Sequence, residues 1–363
     1  LQKVLALAQA GVPVLELCRA GDSAINSLIR NVYKKMKRAD KGVAFPTCVS
    51  VNNCVQHLSP VEEDTDAQAT RILQSGDVVK IELAVHVDGY VASAAHTTLI
   101  NPTPAQPFCG RQVDAICAAY FGAEAAMRLI RPGNSSRMVV EAVRQAAECY
   151  RCEPVEGTSS GTMKRYVLSD VRVIPNRIEV HNDVEDFEFE HEEVYTINVV
   201  MSTGTGKVRE HATKTGIYQR NLDTTYHLRL KSARALFGEV TQQHPVFPFA
   251  FRAIGDVHLR AGLSECVNHK LLLPRAIDRV FSLGEYVAQF KMTVVCSLDG
   301  PLRLTAAQQL PYIHSSHTLE PTSELGALMQ LPVAEAKKDD FKLIASVADQ
   351  ASNPSSVALL FDI

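Results

Sequence analysis

The chain has 363 residues, 46% of them hydrophobic, and a formal net charge of −3. This length allows one large domain or two ordinary ones, and this composition is typical of a globular protein with a substantial core. The charge balance gives no overall attraction to nucleic acid or to a membrane surface, and no apolar run approaches the ~20 residues that a membrane helix needs. Any surface that binds anions must therefore come from local clusters of basic residues.

The ends of the chain and its cysteines give limited information. The sequence begins L-Q-K-V-L-A-L-A-Q-A, without an initiating Met and without a signal-peptide pattern, so we expect a trimmed fragment. Nine cysteines are scattered along it, which is typical of reduced, intracellular thiols. The one C-x-x-C pair, Cys149 and Cys152, lacks the further ligands that a zinc site needs, so we interpret both residues as thiols at a helix end.

Residues 1–40 are predicted to be helical, with a break at Gly11-Val12-Pro13. A basic cluster at the end of this segment consists of Lys34, Lys35, Lys37, Arg38 and Lys41. The simpler interpretation is a solvated helix end, whose cations interact favourably with the helix dipole. The alternative is a set of contacts to the phosphates of a nucleic acid.

The following segment, residues 45–60, lies between two prolines and contains His57. Because a lone His is more often structural than catalytic, the sequence alone gives His57 no functional role.

The strongest local signal is Asp88-Gly89, which separates two β-rich runs and predicts a hairpin with a two-residue turn. Before the turn, polar or small residues alternate with Val, Ile and Leu, so one face of the strand is apolar and Glu82 points to the other. A two-residue turn pairs Ala84 with Ser93 and places Ser93 diagonally from Glu82 on that same face. The pattern therefore predicts that a carboxylate and a small polar residue share one pocket.

The order helix, glycine break, helix, strand occurs twice in the chain. Residues 193–201 (E-V-Y-T-I-N-V-V-M) resemble residues 77–85 (D-V-V-K-I-E-L-A-V), and a turn containing Gly follows each run. In this register Asn198 takes the place of Glu82. Two copies of a helix-helix-hairpin unit predict a pseudo-symmetric α+β domain, with sheets stacked around a shared pocket.

Residues 222–275 have a different pattern and are predicted to form a small helical insert. Five basic residues of this insert are candidates for contacts to nucleic acid: Arg229, Lys231, Arg234, Arg252 and Arg260. Three interleaved phenylalanines would suit a surface that binds nucleic acid, but we expect most of them to fill the insert's own core. Residues 285–296 return to a strand pattern, and residues 332–363 are predicted to be a peripheral C-terminal segment.

Four blocks of this sequence resemble the proliferation-associated (ErbB-receptor-binding) protein family. They lie in the family's order at residues 42–60, 76–90, 192–207 and 284–291. The resemblance covers most of residues 1–331 and implies the α+β pita-bread fold of methionine aminopeptidase and creatinase, with a pseudo-two-fold repeat and the insert at 222–275. We can place no counterpart of residues 332–363 in the family and therefore expect none, and the Lys-rich C-terminal tail typical of the family is absent from the given sequence.

The resemblance also locates five metal-ligand positions. Type-two methionine aminopeptidases, which are related to this family, hold two metals with Asp, Asp, His, Glu and Glu. The corresponding positions here are Glu82, Ser93, Gly161, Asn198 and Lys291. Two divalent metals need several carboxylates, whereas one carboxylate remains here beside an ammonium. We therefore expect no metal, no cofactor and no aminopeptidase activity, and we hypothesise that Lys291 pairs with Glu82 in the space of the metals.

His57 matches a histidine that lines the substrate pocket of the enzymes. One alternative is therefore a metal-independent, creatinase-like hydrolase with His57 and Glu82 as its acid–base pair. Asn198 and Lys291 argue against it because they leave few groups to polarise a substrate. Another alternative is an adaptor whose pocket binds the N-terminus of a peptide without cleaving it.

The function implied by the resemblance is a non-enzymatic one. We expect a ribosome- and RNA-binding protein that associates with the large ribosomal subunit and its rRNA near the peptide exit, in growth-linked translation or ribosome biogenesis. Structured RNA, DNA and regulatory proteins are further expected partners, with a role in transcriptional regulation, and no membrane is expected. The expected locations are the cytoplasm and the nucleus, including the nucleolus. The two basic sets named above are the predicted contacts to rRNA phosphates.

Overall fold

A computed structural model describes residues 1–33, 39–101, 108–169, 171–178, 185–210, 213–280, 284–306, 310 and 313–335. The helices in these ranges are α1 (Gln2–Leu7), α2 (Val14–Ile29), α3 (Arg111–Leu129), α4 (Ser136–Cys149), α5 (Lys231–Gln243), α6 (Val257–Arg260), α7 (Leu263–Asn268) and α8 (Glu324–Met329). The strands are β1 (Lys41–Val51), β2 (Val78–Val87), β3 (Tyr90–Leu99), β4 (Glu153–Pro154), β5 (Ser159–Met163), β6 (Val173–Pro175), β7 (Val194–Ser202), β8 (Val208–Glu210), β9 (Ile217–Arg220), β10 (Phe249–Ala250), β11 (Leu272–Pro274), β12 (Asp278–Val280), β13 (Val287–Val295), β14 (Leu302–Arg303) and β15 (Ala334–Glu335).

The centre of the fold is a single ten-stranded sheet. Its main path runs β1-β2-β3-β13-β7-β5-β6, with β4 paired to β7, β14 to β13 and β15 to β14. Every neighbouring pair along the main path is antiparallel. The prediction of separate stacked sheets is therefore wrong, because β3 pairs with β13 and joins the two halves into one surface.

Two helix pairs cover one face of this sheet. α1 and α2 pack against the half that contains Val79 and Ile81, and α3 and α4 pack against the half that contains Ile197 and Val199. Each of these buried side chains contributes about 1.5–3 kcal/mol by leaving water. Because the apolar side chains of both halves point to the helices, the alternate side chains point to the other face.

The predicted hairpin is confirmed in turn and register. Asp88 and Gly89 have φ angles of 51° and 83°, the left-handed conformation that a type I′ turn requires at both central positions. Ala84 lies opposite Ser93, as the two-residue turn predicts. All ten residues of β2 are buried, so the second face of this strand is covered as well.

The internal repeat is only partly as predicted. The order helix, helix, strand is present in both halves, but the second half does not form a hairpin after β7. The next strand, β8, pairs with β12 instead. The reason is that β7 has no free edge for β8, since β13 pairs along one side of β7 and β5 and β4 pair along the other.

The insert contains more than helices. It is helical in part, as predicted, with α5, α6 and α7, but β10 and β11 also belong to it and pair with β9, just before residue 222, in a three-stranded sheet of order β10-β9-β11. These strands are two to four residues long and were not visible as an alternating pattern. Phe249 and Phe251 belong to the insert's own core, which confirms that part of the prediction, whereas Phe247 packs against Phe45 and Ala84 of the main sheet.

Two smaller predictions concern cysteines and membrane helices. All nine cysteines are unbridged, and Cys149 is the last residue of α4, with Cys152 immediately before β4. Within the described residues, no helix is both long enough and apolar enough to cross a membrane.

We predict that Gly89→Ala destabilises the protein more than Gly133→Ala. Both glycines have a left-handed φ, of 83° and 86°, so both substitutions incur about 1–2 kcal/mol of backbone strain. A Cβ at residue 89 would also overlap the ring of Tyr166, whereas a Cβ at residue 133 has no neighbour within 4 Å. Urea unfolding of both variants measures the difference, and equal losses of stability would contradict the packing of Tyr166 on the hairpin turn.

Candidate functional site

The sheet face opposite α1–α4 carries two rows of polar positions. In the first row Glu82 lies opposite Ala95, Ala95 opposite Lys291, and Lys291 opposite Asn198. The next row contains Ser93 of β3, Thr293 of β13, Thr196 of β7 and Gly161 of β5. Because directly opposed residues share a face, the sheet brings all five predicted metal-ligand positions to one surface.

An ion pair occupies the middle of the first row. The Lys291 ammonium donates to the Glu82 carboxylate, and the two side chains are 15% and 4% exposed. The hypothesised pairing of these residues is therefore observed. Burial alone would raise the pKa of Glu82, but the charge of Lys291, with smaller contributions from His57 and Gln289, lowers this pKa below its ordinary value of 4.5. Glu82 is thus an ionised carboxylate at neutral pH.

His57 completes the charged part of the site. It lies between β1 and β2 with a left-handed φ of 67°, its ring centroid is 5.2 Å from that of Phe45, and its Nε2 is 3.8 Å from Glu82 Oε2. Burial lowers the pKa of His57 to about 4, although the Glu82 charge opposes this shift. The imidazole is therefore neutral at physiological pH.

Asn198 is engaged by its own neighbours. Its Oδ1 accepts from Gln289 Nε2 at 2.8 Å, and its Nδ2 donates to the carbonyl of Ser159 at 3.3 Å. Its backbone N–H donates to Ser160 Oγ at 2.8 Å. This amide therefore holds β5, β7 and β13 together on the polar face.

Ser93 and Gly161 are also part of the sheet's internal bonding. Ser93 Oγ lies 2.9 Å from Thr196 Oγ1, and the Ser93 backbone N–H donates to Thr293 Oγ1 at 2.9 Å. A Cβ on Gly161 would come within 2.8 Å of the Arg172 carbonyl oxygen. A histidine at this position, as in the enzymes, would therefore require β5 and the backbone beside it to separate.

The five positions do not fit a two-metal centre. They supply one carboxylate, one hydroxyl, one amide, one glycine and one ammonium, and the carboxylate is already bound to the ammonium. Hard divalent cations need several oxygen ligands with negative charge, and a cation in this place would face the Lys291 charge. Across the described ranges, no three His, Cys, Asp or Glu side chains come together as a ligand group.

Sequence reasoning gave no role to Lys80, a buried residue on the same face. Its Nζ donates to the carbonyls of Asn52 at 2.9 Å and Val287 at 3.0 Å, and burial lowers its pKa to about 7. The alternation along β2 already placed Lys80 on the face of Glu82, so this signal was available. Its carbonyl partners could not be found in the same way, because they lie on distant segments.

The first predicted basic set is only partly within the described structure. Lys34, Lys35, Lys37 and Arg38 lie outside the described residues. The Lys41 ammonium donates to the carbonyls of Val32 at 2.6 Å and Tyr33 at 3.4 Å, just beyond the end of α2. For Lys41 the simpler interpretation, a cation at a helix end, fits the observed contacts.

Two members of the second basic set need correction. The Arg252 side chain is 5% exposed and forms an ion pair with Asp22, and it also donates to Ser59 Oγ at 2.5 Å and to the Thr47 carbonyl at 3.2 Å. The Arg260 side chain is 14% exposed and pairs with Glu62 and Glu63. The buried Arg252 guanidinium is therefore not available to a phosphate, and the Arg260 guanidinium is already bound to two carboxylates of its own chain.

The remaining three residues of this set are exposed. Arg229, Lys231 and Arg234 lie at the beginning of α5, where Arg234 Nη1 also donates to the carbonyls of Leu228 at 2.9 Å and Arg229 at 2.7 Å. We call these three residues the α5 cluster. Its role in binding phosphates stays a prediction.

The fold and the site together define a protein built on an aminopeptidase scaffold whose ligand positions no longer make a metal centre. The model of metallopeptidase family M24 matches residues 1–220, and the chain belongs to this family and, within it, to the proliferation-associated proteins. It is 38% identical to proliferation-associated protein A of Dictyostelium discoideum, over 96% of this chain and 89% of that protein. It is 38% identical to ERBB-3 binding protein 1 of Arabidopsis thaliana (99% and 89%) and 36% identical to the curved DNA-binding protein of Schizosaccharomyces pombe (93% and 87%). Because the match to the Arabidopsis protein covers 99% of this chain, it extends into residues 332–363, and the expectation that this segment has no counterpart in the family is wrong.

Solved structures confirm the predicted pita-bread fold. A thermophilic Arx1 superposes with a TM-score of 0.82 at 23% identity, over 92% of this chain and 94% of that chain. A methionine aminopeptidase from Thermotoga maritima superposes with a TM-score of 0.51 at 15% identity, over 84% and 89%. At these identities the likeness concerns the fold alone.

We predict that Lys291→Met destabilises the protein by about 3–5 kcal/mol at pH 7, because it leaves the Glu82 carboxylate buried without a partner. In the wild type the pKa of Glu82 is below 4.5. The pair therefore contributes fully to the free energy of unfolding above pH 4.5, and this contribution is lost as the pH falls through the pKa of Glu82 in the folded protein. The difference between the two proteins in urea unfolding should therefore shrink in acid. The matched control Glu82→Gln/Lys291→Met should recover much of the stability, and a single variant as stable as wild type at pH 7 would contradict the pairing.

We predict that His57→Gln weakens the pH dependence of stability between pH 6.5 and pH 4. The unfolded chain protonates His57 near 6.5 and the folded protein near 4, so the unfolded state binds the additional proton and stability falls as the pH falls through this window. The slope that His57 contributes is at most about 1.4 kcal/mol per pH unit. Urea unfolding across this range and an NMR titration of the imidazole measure it; an imidazole that titrates at 6.5 in the folded protein would refute the prediction.

Proposed function

We propose that this protein is a non-catalytic binding protein on a degenerate aminopeptidase scaffold. The observation that carries the proposal is the ion pair of Lys291 with Glu82, which places an ammonium among the positions where the related enzymes hold metals. The amide of Asn198 and the hydroxyl of Ser93 are likewise bound to neighbouring protein groups. The site's polar atoms therefore stabilise the sheet.

We propose the large ribosomal subunit and its rRNA, near the peptide exit, as the partner. The α5 cluster supports this because it concentrates three exposed cations on one end of a helix in a chain whose net charge is −3. A 36% identical relative bears the name curved DNA-binding protein, which also supports contact with nucleic acid. Binding by this cluster would weaken steeply with salt, since each neutralised phosphate releases counterions.

The cellular role that we propose is growth-linked translation or ribosome biogenesis, in the cytoplasm and in the nucleus with its nucleolus. Its support is the 38% identity to a protein named proliferation-associated protein A, over nearly the whole chain. Binding to other structured RNA, to DNA and to regulatory proteins, with an effect on transcription, belongs to the same proposal.

The geometry of the site gives little support to the alternative of a creatinase-like hydrolase. His57 and Glu82 are 3.8 Å apart, but a pKa of about 4 makes His57 a weak base at neutral pH, and Glu82 is ionised and bound to Lys291. We expect no turnover in a screen of peptide and amide substrates. Reproducible turnover that disappears in His57→Ala would overturn the non-catalytic proposal.

We predict that Lys231→Glu weakens co-sedimentation with purified large ribosomal subunits and lowers the slope of log affinity against log salt by about 1. Lys231 is the first residue of α5, so an acidic residue there favours the helix dipole and should preserve the fold. Arg137→Glu is the matched control, since it makes the same charge change in the first turn of α4. If Lys231→Glu and Lys231→Glu/Arg234→Glu both bind like the control, the α5 cluster does not contact the ribosome.

A further inference from the structure

The loop between β9 and α5, residues 221–230, exposes three large apolar side chains. Leu222, Tyr226 and Leu230 are 58%, 38% and 52% exposed. Among the described residues, Tyr226 is the only aromatic side chain in the set of large apolar side chains that are exposed. The backbone of residues 213–280 is described without a gap, so the chain on both sides of this loop is part of the structure.

Both ends of the loop are fixed to residues 265–271. At one end, the Asn221 backbone N–H donates to the Leu271 carbonyl at 2.9 Å. At the other end, the Glu265 carboxylate accepts from the backbone N–H groups of Arg229 at 2.6 Å and Leu230 at 2.9 Å. The loop therefore presents its exposed side chains from a backbone that is held at both ends.

The Tyr226 ring lies flat on the ring of His269. The two ring centroids are 3.6 Å apart, and the ring planes are inclined by 11°. The His269 backbone N–H donates to the Glu265 carbonyl at 3.1 Å, so one helical turn, about 5.4 Å, separates His269 from the residue that binds the end of the loop. Because His269 covers one face of Tyr226, the exposed part of this ring is its opposite face and its edge.

The segments around the ring pair are basic. Residues 221–234 and 263–270 contain four cations, which are the α5 cluster and Lys270, and two carboxylates, which are those of Asp223 and Glu265. The backbone N–H of Arg229 lowers the pKa of Glu265 most, and the charges of His269 and Arg229 lower this pKa further. The charge of Glu265 is therefore already compensated within the insert. Such surroundings disfavour a cation on the Tyr226 ring and favour an anion beside it.

A ligand that fits this surface combines a planar group with several negative charges. A single strand of nucleic acid has both, since its bases stack on aromatic side chains while its phosphates contact cations. A base inside a duplex is covered by its neighbours and cannot stack on a side chain. The surface therefore suits unpaired nucleotides.

We propose that the outward face of Tyr226 stacks on an unpaired base of single-stranded RNA, and that Arg229 and Lys231 bind phosphates of the same strand. The fixed loop and the ring of His269 orient Tyr226 before the RNA arrives, which reduces the entropy loss on association. The contact is independent of sequence, because every base has a face that can stack. This inference rests on the proposed function and deepens it, since it names unpaired nucleotides as the RNA that the surface at α5 binds.

The test uses the full chain and a fluorescein-labelled, unstructured RNA of about 12 nucleotides. Tyr226→Ala should lower the affinity measured by fluorescence anisotropy by about tenfold to a hundredfold, whereas Tyr226→Phe, which keeps the ring, should bind like the wild type. The slope of log affinity against log salt should stay the same in Tyr226→Ala, because no charge is removed, and should fall by about 0.7 in Lys231→Glu. Met138→Ala is the matched control, since it shortens another exposed apolar side chain, on α4.

The possible outcomes separate this inference from the proposed function. If Tyr226→Ala binds the RNA like Met138→Ala, Tyr226 does not stack on a base, and the binding of ribosomal subunits stands. If Tyr226→Ala loses affinity for purified subunits but not for the RNA, the ring contacts a ribosomal protein and the inference falls. If the wild type binds subunits but not the RNA, the inference falls alone, and if it binds neither, both proposals fall.

Thermal melting of the variants distinguishes a lost contact from a lost fold. Tyr226→Leu keeps an apolar side chain against His269 without an aromatic face, and it serves if Tyr226→Ala melts below Met138→Ala. Affinity that is lost in Tyr226→Leu and kept in Tyr226→Phe supports stacking, and equal affinity of these two variants refutes it.

Discussion

The antiparallel register of β2, β3, β13 and β7 determines where every other part of this protein can lie. Once Glu82, Ala95, Lys291 and Asn198 are in one row, the residues between them on each strand must face the helices. A slip of one residue in any of these strands would exchange the two faces of that strand and turn its polar residues towards α1–α4. The core and the polar surface are therefore two results of one pairing pattern.

Within this pattern the ion pair of Lys291 and Glu82 affects stability differently when it is replaced as a pair and when one partner is removed. A buried pair of opposite charges often adds little net stability compared with apolar residues, but the loss of one partner is costly. The arrangement therefore resists change by single substitutions. Return to a metal centre would need new carboxylates at the positions of Ser93, Asn198 and Lys291 and a histidine at that of Gly161, where the backbone leaves no room for a side chain.

Local chemistry in the sequence was enough to predict the hairpin, because Asp88-Gly89 determines its own turn and the register of Glu82 and Ser93 follows from it. The ion pair could not be predicted in this way, because the sequence of β2 does not indicate that Glu82 contacts Lys291. That contact was predicted from the family resemblance. Contacts between distant segments were the general source of error. Arg252 and Arg229 look alike in sequence, yet Asp22 is 230 residues from Arg252 and removes it from the surface. The pairing partner of β8 likewise could not be predicted locally, because it depends on the strands that pair with both edges of β7.

The contacts of Arg252 have a mechanical consequence. One guanidinium joins the insert to Asp22 of α2 and to Thr47 of β1, so the insert is anchored to the N-terminal half at this point. A partner that binds α5 does not have to immobilise the insert first, and the entropy loss on association is correspondingly smaller. The orientation of the α5 cluster relative to the sheet is in this sense preorganised, and whatever binds the cluster meets the rest of the protein in one fixed direction.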